Sequence, residues 1–410
     1  MDSTILSYIV IGILVLEYSV DNVLNYLNAK KFQDPIPPEL EDVFNEEEYL
    51  KSQNYKKTNY SFGILSATFS LVLTLSFLIF GGFHWADQWS AGLTENTLLH
   101  ALLFFGIILF GSNILSIPFS YYQTFVIEEK FGFNQTTLKL FCIDTIKGWV
   151  ITALLGGGLL SLIIVFFQWA GTAFWWYAWA LVTVVILFMN LFYSKLIVPI
   201  FNTQEPLKEG ALKTSLQSYA KTVGFAIHHI FVIDGSKRST KANAYFSGFG
   251  NEKRVTLYDT LIKDLEEEEI VAVLAHEVGH YKKKHQFFNL FASILLTGLT
   301  LFVLSLFVNT PELSLAIGVT TPSFHAALIG FGILYSPISA GTGFIMNYWS
   351  RKFEYQADDY AKNTFKAAAL ISGLKKLSKN SLSNLTPHPS YVFMHYSHPP
   401  LIDRIRNLKV

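Results

Sequence analysis

Apolar residues in this chain run in seven long blocks, at about 4–26, 61–83, 98–119, 149–168, 172–194, 288–309 and 325–347. A block of about 20 apolar residues crosses the hydrocarbon of a bilayer as a helix. A helix also satisfies its own backbone groups where there is no water to do so. The pattern therefore predicts seven transmembrane helices. The first block is the weakest, because Glu17 and Asp21 interrupt it. No positive charge precedes it, which argues against a secretory signal peptide.

The polar links between blocks carry the orientation. All 31 lysines and arginines fall in four segments: five in 27–60, three in 119–148, thirteen in 195–287 and ten in 348–410. The N-terminal tip and the links near 84–97, 169–171 and 310–324 hold none. Positive residues stay on the cytosolic side of a membrane, so the alternation predicts an N-terminus outside and a C-terminus in the cytosol. Four regions follow: 1–195 with five spans, a cytosolic region 196–287, spans six and seven within 288–347, and a cytosolic region 348–410.

Composition agrees with a membrane protein. Of 410 residues 51% are hydrophobic, 16% aromatic and only 15% charged. A net charge of zero, with no basic patch interleaved with aromatics, argues against nucleic-acid binding. The single Cys142 excludes an intrachain disulfide framework and a cysteine-based zinc site. Gly156-Gly157-Gly158 falls inside a span, where it permits close helix packing or a kink. On hydropathy alone a seven-span receptor or transporter remains a competing class.

Chemistry enters in the longest polar segment. There His228–Ile233, Asn243–Gly248 and Arg254–Tyr258 read as strands of a small antiparallel sheet. An edge strand of such a sheet can hold an extended peptide by main-chain pairing. After it comes a run free of Gly and Pro, Leu265 to Ala275, with acids crowding its first turn where the helix dipole favours them. The run ends in His276-Glu277-Val278-Gly279-His280, the pattern H-E-x-x-H. Residues four apart share a helix face, so His276 and His280 can present two ring nitrogens to one zinc ion. Glu277 lies beside that face, where a carboxylate can deprotonate an attacking water. Two imidazoles and a carboxylate in a semi-buried helix are costly unless paired or bound to metal.

A catalytic zinc takes three protein ligands and leaves a position open. Glu354 is the candidate third ligand, in a helical segment that places Asp358 one turn further on. Asp358 could orient a ligating histidine by accepting its other N–H. His285 lies about 140° around a continued helix from His280 and reads as a surface residue.

Several segments together resemble the type I CAAX prenyl endopeptidases, a family of integral membrane zinc metallopeptidases. They are Ile127–Asn134 with Asp144–Lys147, Pro199–Asn202, Ser239–Tyr245, Leu257–Leu261, His276–His280, Glu354–Asp358, and Ser397-His398-Pro399-Pro400 with Arg404. The resemblance implies a mainly α membrane protein, with seven helices enclosing a chamber and a cytosolic α+β, gluzincin-like zinc domain. It implies one zinc per chain on His276, His280 and Glu354, with Glu277 as general base. Asn243, Ala244 and Tyr245 would lie along the substrate-holding strand. His398 and Arg404 would stabilise the oxyanion or order Glu354 and Asp358. It implies a peptide or protein substrate with a prenylated C-terminus, trimmed of its last three residues. The membrane would be the endoplasmic reticulum in a eukaryote and the inner membrane in a bacterium. In a bacterium without protein prenylation, quality control of unprenylated membrane proteins is the alternative.

Overall fold

The computed structural model describes residues 2–227, 229–248 and 253–410. Among them, six helical stretches are long and apolar enough to cross a membrane: Ser3–Gln33, Glu46–Ile79, Thr97–Phe131, Leu138–Phe201, His285–Phe307 and Phe324–Thr364. The fourth runs 64 residues and turns back at Gly171, whose φ of +55° suits glycine. It thus supplies two of the seven expected spans. Of the two roles open to Gly156-Gly157-Gly158, the irregular helix is the one found. A π-helical turn occupies Thr152–Gly156, and a Cβ on Gly157 or Gly158 would meet nothing.

The last of the spanning helices sets the position of the site. Phe324–Thr364 is 41 residues long, about 60 Å at ~1.5 Å per residue and twice the ~30 Å of hydrocarbon. Its far end therefore projects rigidly beyond the apolar block, carrying Glu354 and Asp358 to the end of the bundle where lysines and arginines gather.

At that end sits a four-stranded sheet, β1 (Gln204–Pro206), β2 (His229–Ile233), β3 (Ala244–Ser247) and β4 (Arg254–Tyr258), in the order β1-β2-β4-β3. The expected antiparallel sheet is found only in part. β1–β2 and β3–β4 are antiparallel, but β2 runs parallel to β4. The reason is topological: β3 pairs antiparallel along one side of β4 and takes the outer edge, leaving the inner side of β4 for β2. His228 lies outside the described residues. The sheet buries Ile230, Val255 and Leu257 against Ile270 and Leu274 of the following helix.

Two ion pairs fix the segment between β2 and β3 to the ends of the third and fourth helical stretches. Arg238 grips Asp144 through Nε at 2.7 Å and Nη2 at 3.0 Å, and Lys241 Nζ lies 2.8 Å from Glu128. Tyr55 donates its hydroxyl to the same Glu128 at 2.6 Å. These contacts account for the chemistry of Ile127–Asn134, Asp144 and Ser239–Tyr245: they hold the approach to β3.

Candidate active site

The H-E-x-x-H helix spans Glu267–Lys282. Its start is set by a capping box, in which the Glu269 carboxylate accepts the Glu266 N–H at 2.8 Å and is itself held by Lys376 at 2.8 Å. The helix crosses the last-span helix at Gly279. A Cβ there would lie 3.0 Å from both Cα and O of Ala357. That closeness brings the Glu354–Asp358 face onto the two histidines.

Three residues converge, the two histidine Nε2 atoms facing one carboxylate oxygen each of Glu354. His276 Nε2 is 3.1 Å from His280 Nε2 and 3.4 Å from Glu354 Oε2, and His280 Nε2 is 3.2 Å from Glu354 Oε1. In a tetrahedron the ligand–ligand edge is about 1.6 times the bond length, so zinc bonds of ~2.0–2.1 Å need edges near ~3.3 Å. The three residues fit zinc on that ground. Glu354 Oε2 is buried and has no hydrogen-bond partner, which marks it as an atom awaiting a ligand. Burial would raise the Glu354 carboxyl, but His276, His280 and the Arg404 charge outweigh it and hold it far below the usual carboxylate range. A ligand must be deprotonated, and this one is.

Each histidine is aimed from behind by a different partner. His276 Nδ1 lies 2.8 Å from Asp358 Oδ1. Asp358 is fully buried and gripped bidentately by Arg404, at 2.8 Å from Nε and 2.6 Å from Nη2. Burial pulls the His276 imidazole down, yet Asp358 and Glu354 push it past that to about 9. His280 Nδ1 lies 3.0 Å from His285 Nδ1, and His285 Nε2 lies 2.9 Å from Gln356 Oε1. If His280 keeps its Nε2 lone pair for a metal, its Nδ1 carries the proton and donates to His285. His285 must then hold its own proton on Nε2 and donate it to Gln356, the one tautomer arrangement that satisfies all three groups.

His285 is thus buried rather than on the surface. The helix ends at Lys282, and Lys284 takes a left-handed conformation with φ +61°. The next helix starts at His285 on a new axis, so its angle cannot be read from a continued helix. Its ring stacks on Phe353 at 4.1 Å.

A cleft of about 690 Å³ gathers the remaining candidates. Glu277, Asn243, Ala244, Tyr245, His398 and Arg404 all line it, together with the three converging residues. β3 occupies the sheet edge beside it. Arg404 is largely buried and committed to Asp358, with Nη1 3.4 Å from Glu354 Oε2. His398 is 63% exposed, its Nδ1 2.9 Å from the Ser397 hydroxyl and its Nε2 3.4 Å from Glu354 Oε1. Lys56 and Tyr396 also line the cleft; Lys56 arrives from the helix Glu46–Ile79 and Tyr396 stands just before Ser397-His398, and no motif marked either. Tyr245 and Phe246 are shared with a neighbouring cavity of about 900 Å³ between the helices of spans five and six.

Known proteins resemble this chain along nearly its whole length. Residues 25–203 match the family model of the CAAX prenyl protease N-terminal region with five membrane helices, and residues 206–410 match peptidase family M48. A CAAX prenyl protease 1 homolog of Arabidopsis thaliana is 34% identical, covering 97% of this chain and 96% of that protein. CAAX prenyl protease 1 of Saccharomyces cerevisiae is 34% identical over 98% of this chain and 94% of its own. The crystal structure of S. mikatae Ste24p superimposes with a TM-score of 0.94 at 33% identity, covering 99% of each chain. The fold, the cleft and these likenesses agree, and the chain belongs to peptidase family M48 as a multi-pass membrane metalloendopeptidase of the CAAX prenyl protease 1 kind.

Proposed function

We propose that the metal is zinc, held by His276, His280 and Glu354, and that the substrate is a protein with a prenylated C-terminus from which the last three residues are cut. The observation that carries the metal assignment is the convergence of His276 Nε2 and His280 Nε2, 3.1 Å apart, on the Glu354 carboxylate at 3.4 and 3.2 Å, one of whose oxygens is buried without a hydrogen bond. Calcium and magnesium prefer all-oxygen shells and suit it poorly. Zinc there supplies a Lewis acid that brings the pKa of water from ~16 toward ~7.

The residues divide the remaining work. Glu277 accepts the proton of the attacking water and returns it to the leaving amine. Asp358, fixed by Arg404, keeps the His276 ring in its ligating tautomer, as His285 does for His280. His398, exposed on the cleft, is placed to donate to the developing oxyanion, while Arg404 orders Asp358 and Glu354. Asn243, Ala244 and Tyr245 offer the substrate an edge strand, so main-chain pairing fixes the scissile bond with little reading of sequence.

The prenyl specificity is supported by the names of the relatives and by the cavity of about 900 Å³ that adjoins the cleft at Tyr245 and Phe246 and is lined in part by Ile186, Met189 and Leu290. The distribution of lysine and arginine supports a cytosolic cleft, in the endoplasmic reticulum membrane of a eukaryote or the inner membrane of a bacterium. Cleavage of a farnesylated C-a-a-X peptide should far exceed that of its unprenylated twin. Equal rates would refute the prenyl reading and favour quality control of unlipidated membrane proteins.

A further inference from the structure

We propose that Asp87, His100 and His325 form a second site for a divalent transition-metal ion of the zinc class, at the end of the bundle opposite the catalytic cleft. His325 and Glu354 lie on one helix, 29 residues apart, about 44 Å at ~1.5 Å per residue. The site therefore takes no part in peptide hydrolysis.

Two imidazoles converge on one carboxylate oxygen. His325 Nε2 is 2.8 Å and His100 Nε2 is 3.1 Å from Asp87 Oδ1. The rings stand 4.6 Å apart at 63°. Two further oxygens complete the surroundings: the Asp87 carbonyl, 3.1 Å from His100 Nε2, and the Ser323 hydroxyl, 3.0 Å from His325 Nε2. The convergence resembles that of His276 and His280 on Glu354, with slightly shorter edges that a bound ion would open by a few tenths of an ångström.

Charge points the same way. Asp87 is only 3% exposed, and a buried carboxylate needs a positive partner. The sequence places no lysine or arginine anywhere in 58–129 or 285–350, the segments that supply the helices around it. The balancing charge must come from a protonated imidazole or from a bound cation. Two neutral imidazoles donating Nε2–H would satisfy the oxygen's lone pairs but leave the carboxylate charge unbalanced, whereas a cation held by both Nε2 atoms and Oδ1 balances it. Nitrogen ligands exclude the calcium and magnesium class and favour zinc.

Such an ion would be structural. Asp87 lies on the short helix Gly82–Leu93, His100 on the first turn of Thr97–Tyr122, and His325 on the first turn of Phe324–Thr364. One ion would pin three chain segments and close that end of the bundle.

Elemental analysis of full-length, detergent-purified protein after gel filtration tests this without reference to activity. We expect two metal ions per chain in wild type, one in the His276→Ala/His280→Ala double variant, one in Asp87→Asn, and none when these are combined. Asp87→Asn preserves size and hydrogen bonding, but a folding failure would be bypassed by cobalt titration of the His276→Ala/His280→Ala chain. One equivalent should develop the visible d–d bands of cobalt on nitrogen and oxygen ligands, and zinc should displace it. One ion in wild type, none in the double variant and no cobalt absorption would overturn the proposal. Absence of metal from wild type altogether would instead refute the catalytic zinc as well, which separates the two readings.

Discussion

His285 offers the sharpest test of how the catalytic metal is held. Its Nδ1 lies 3.0 Å from His280 Nδ1, where it accepts that proton when His280 ligates through Nε2, and its ring stacks on Phe353 at 4.1 Å and 13°. His285→Phe keeps the stack, worth about 0.5–1.5 kcal/mol, and removes both the acceptor for His280 and the donor to Gln356. Loss of such an outer partner costs about 10–100-fold in metal affinity. The His280 side chain is 19% exposed, so water can partly replace His285, and the lower end, about tenfold or ~1.4 kcal/mol, is expected. Asp358→Asn, behind the more deeply buried His276, should fall near the upper end. Zinc affinity would be read by competition with a chromophoric chelator on detergent-purified protein, alongside Tm. His285→Phe should lose affinity with a smaller fall in Tm than His285→Ala, which gives up the stack as well as both hydrogen bonds. Wild-type zinc affinity in His285→Phe would refute the tautomer relay and reduce His285 to a packing residue.

Four further outcomes follow from the same geometry. Gly279→Ala must push the two site helices apart, because the new Cβ meets the Ala357 backbone at 3.0 Å; it should cost about 1–3 kcal/mol and lower zinc occupancy, and an unchanged Tm would contradict the close crossing. Glu277→Gln should keep wild-type zinc while cleavage drops about 10²–10⁴-fold, whereas Glu354→Ala should lose zinc and activity together; full activity in the first variant would remove Glu277 as the base. In chelated protein the folded-state pKa of His276, about 9, lies above its unfolded value of ~6.5. That stabilisation is complete below ~6.5 and lost as pH rises through about 9, so Tm should decline across this window in wild type but stay flatter in His276→Gln; matching profiles would show that His276 does not titrate there. Finally, in a Cys142→Ser background, impermeant maleimide from the non-cytosolic side should label Glu95→Cys and Thr321→Cys, both exposed positions, and spare Ser236→Cys; the reverse labelling would invert the topology.

The apolar blocks and the H-E-x-x-H pattern were legible because they depend on local physics. Twenty apolar residues fit a bilayer in any fold, and two histidines four apart share a face on any α-helix. Glu354 and Asp358 stood out as carboxylates one turn apart in a second helical segment; the resemblance to known proteases then extended the reading to His398 and Arg404, up to 128 residues from His276, which spacing alone would never have joined. What escaped were features settled by one backbone angle or by contacts distant in sequence. Lys284 turns left-handed and so swings His285 inward, although no glycine or proline marks the break. β2 pairs parallel with β4 because β3 claims the other side of β4, a choice that strand propensity does not encode. Asp87, His100 and His325 read as isolated polar residues at span ends until three helices meet. Periodicity fixes which face of an element is apolar; only the packed chain decides which faces meet, and a metal site is made where they do.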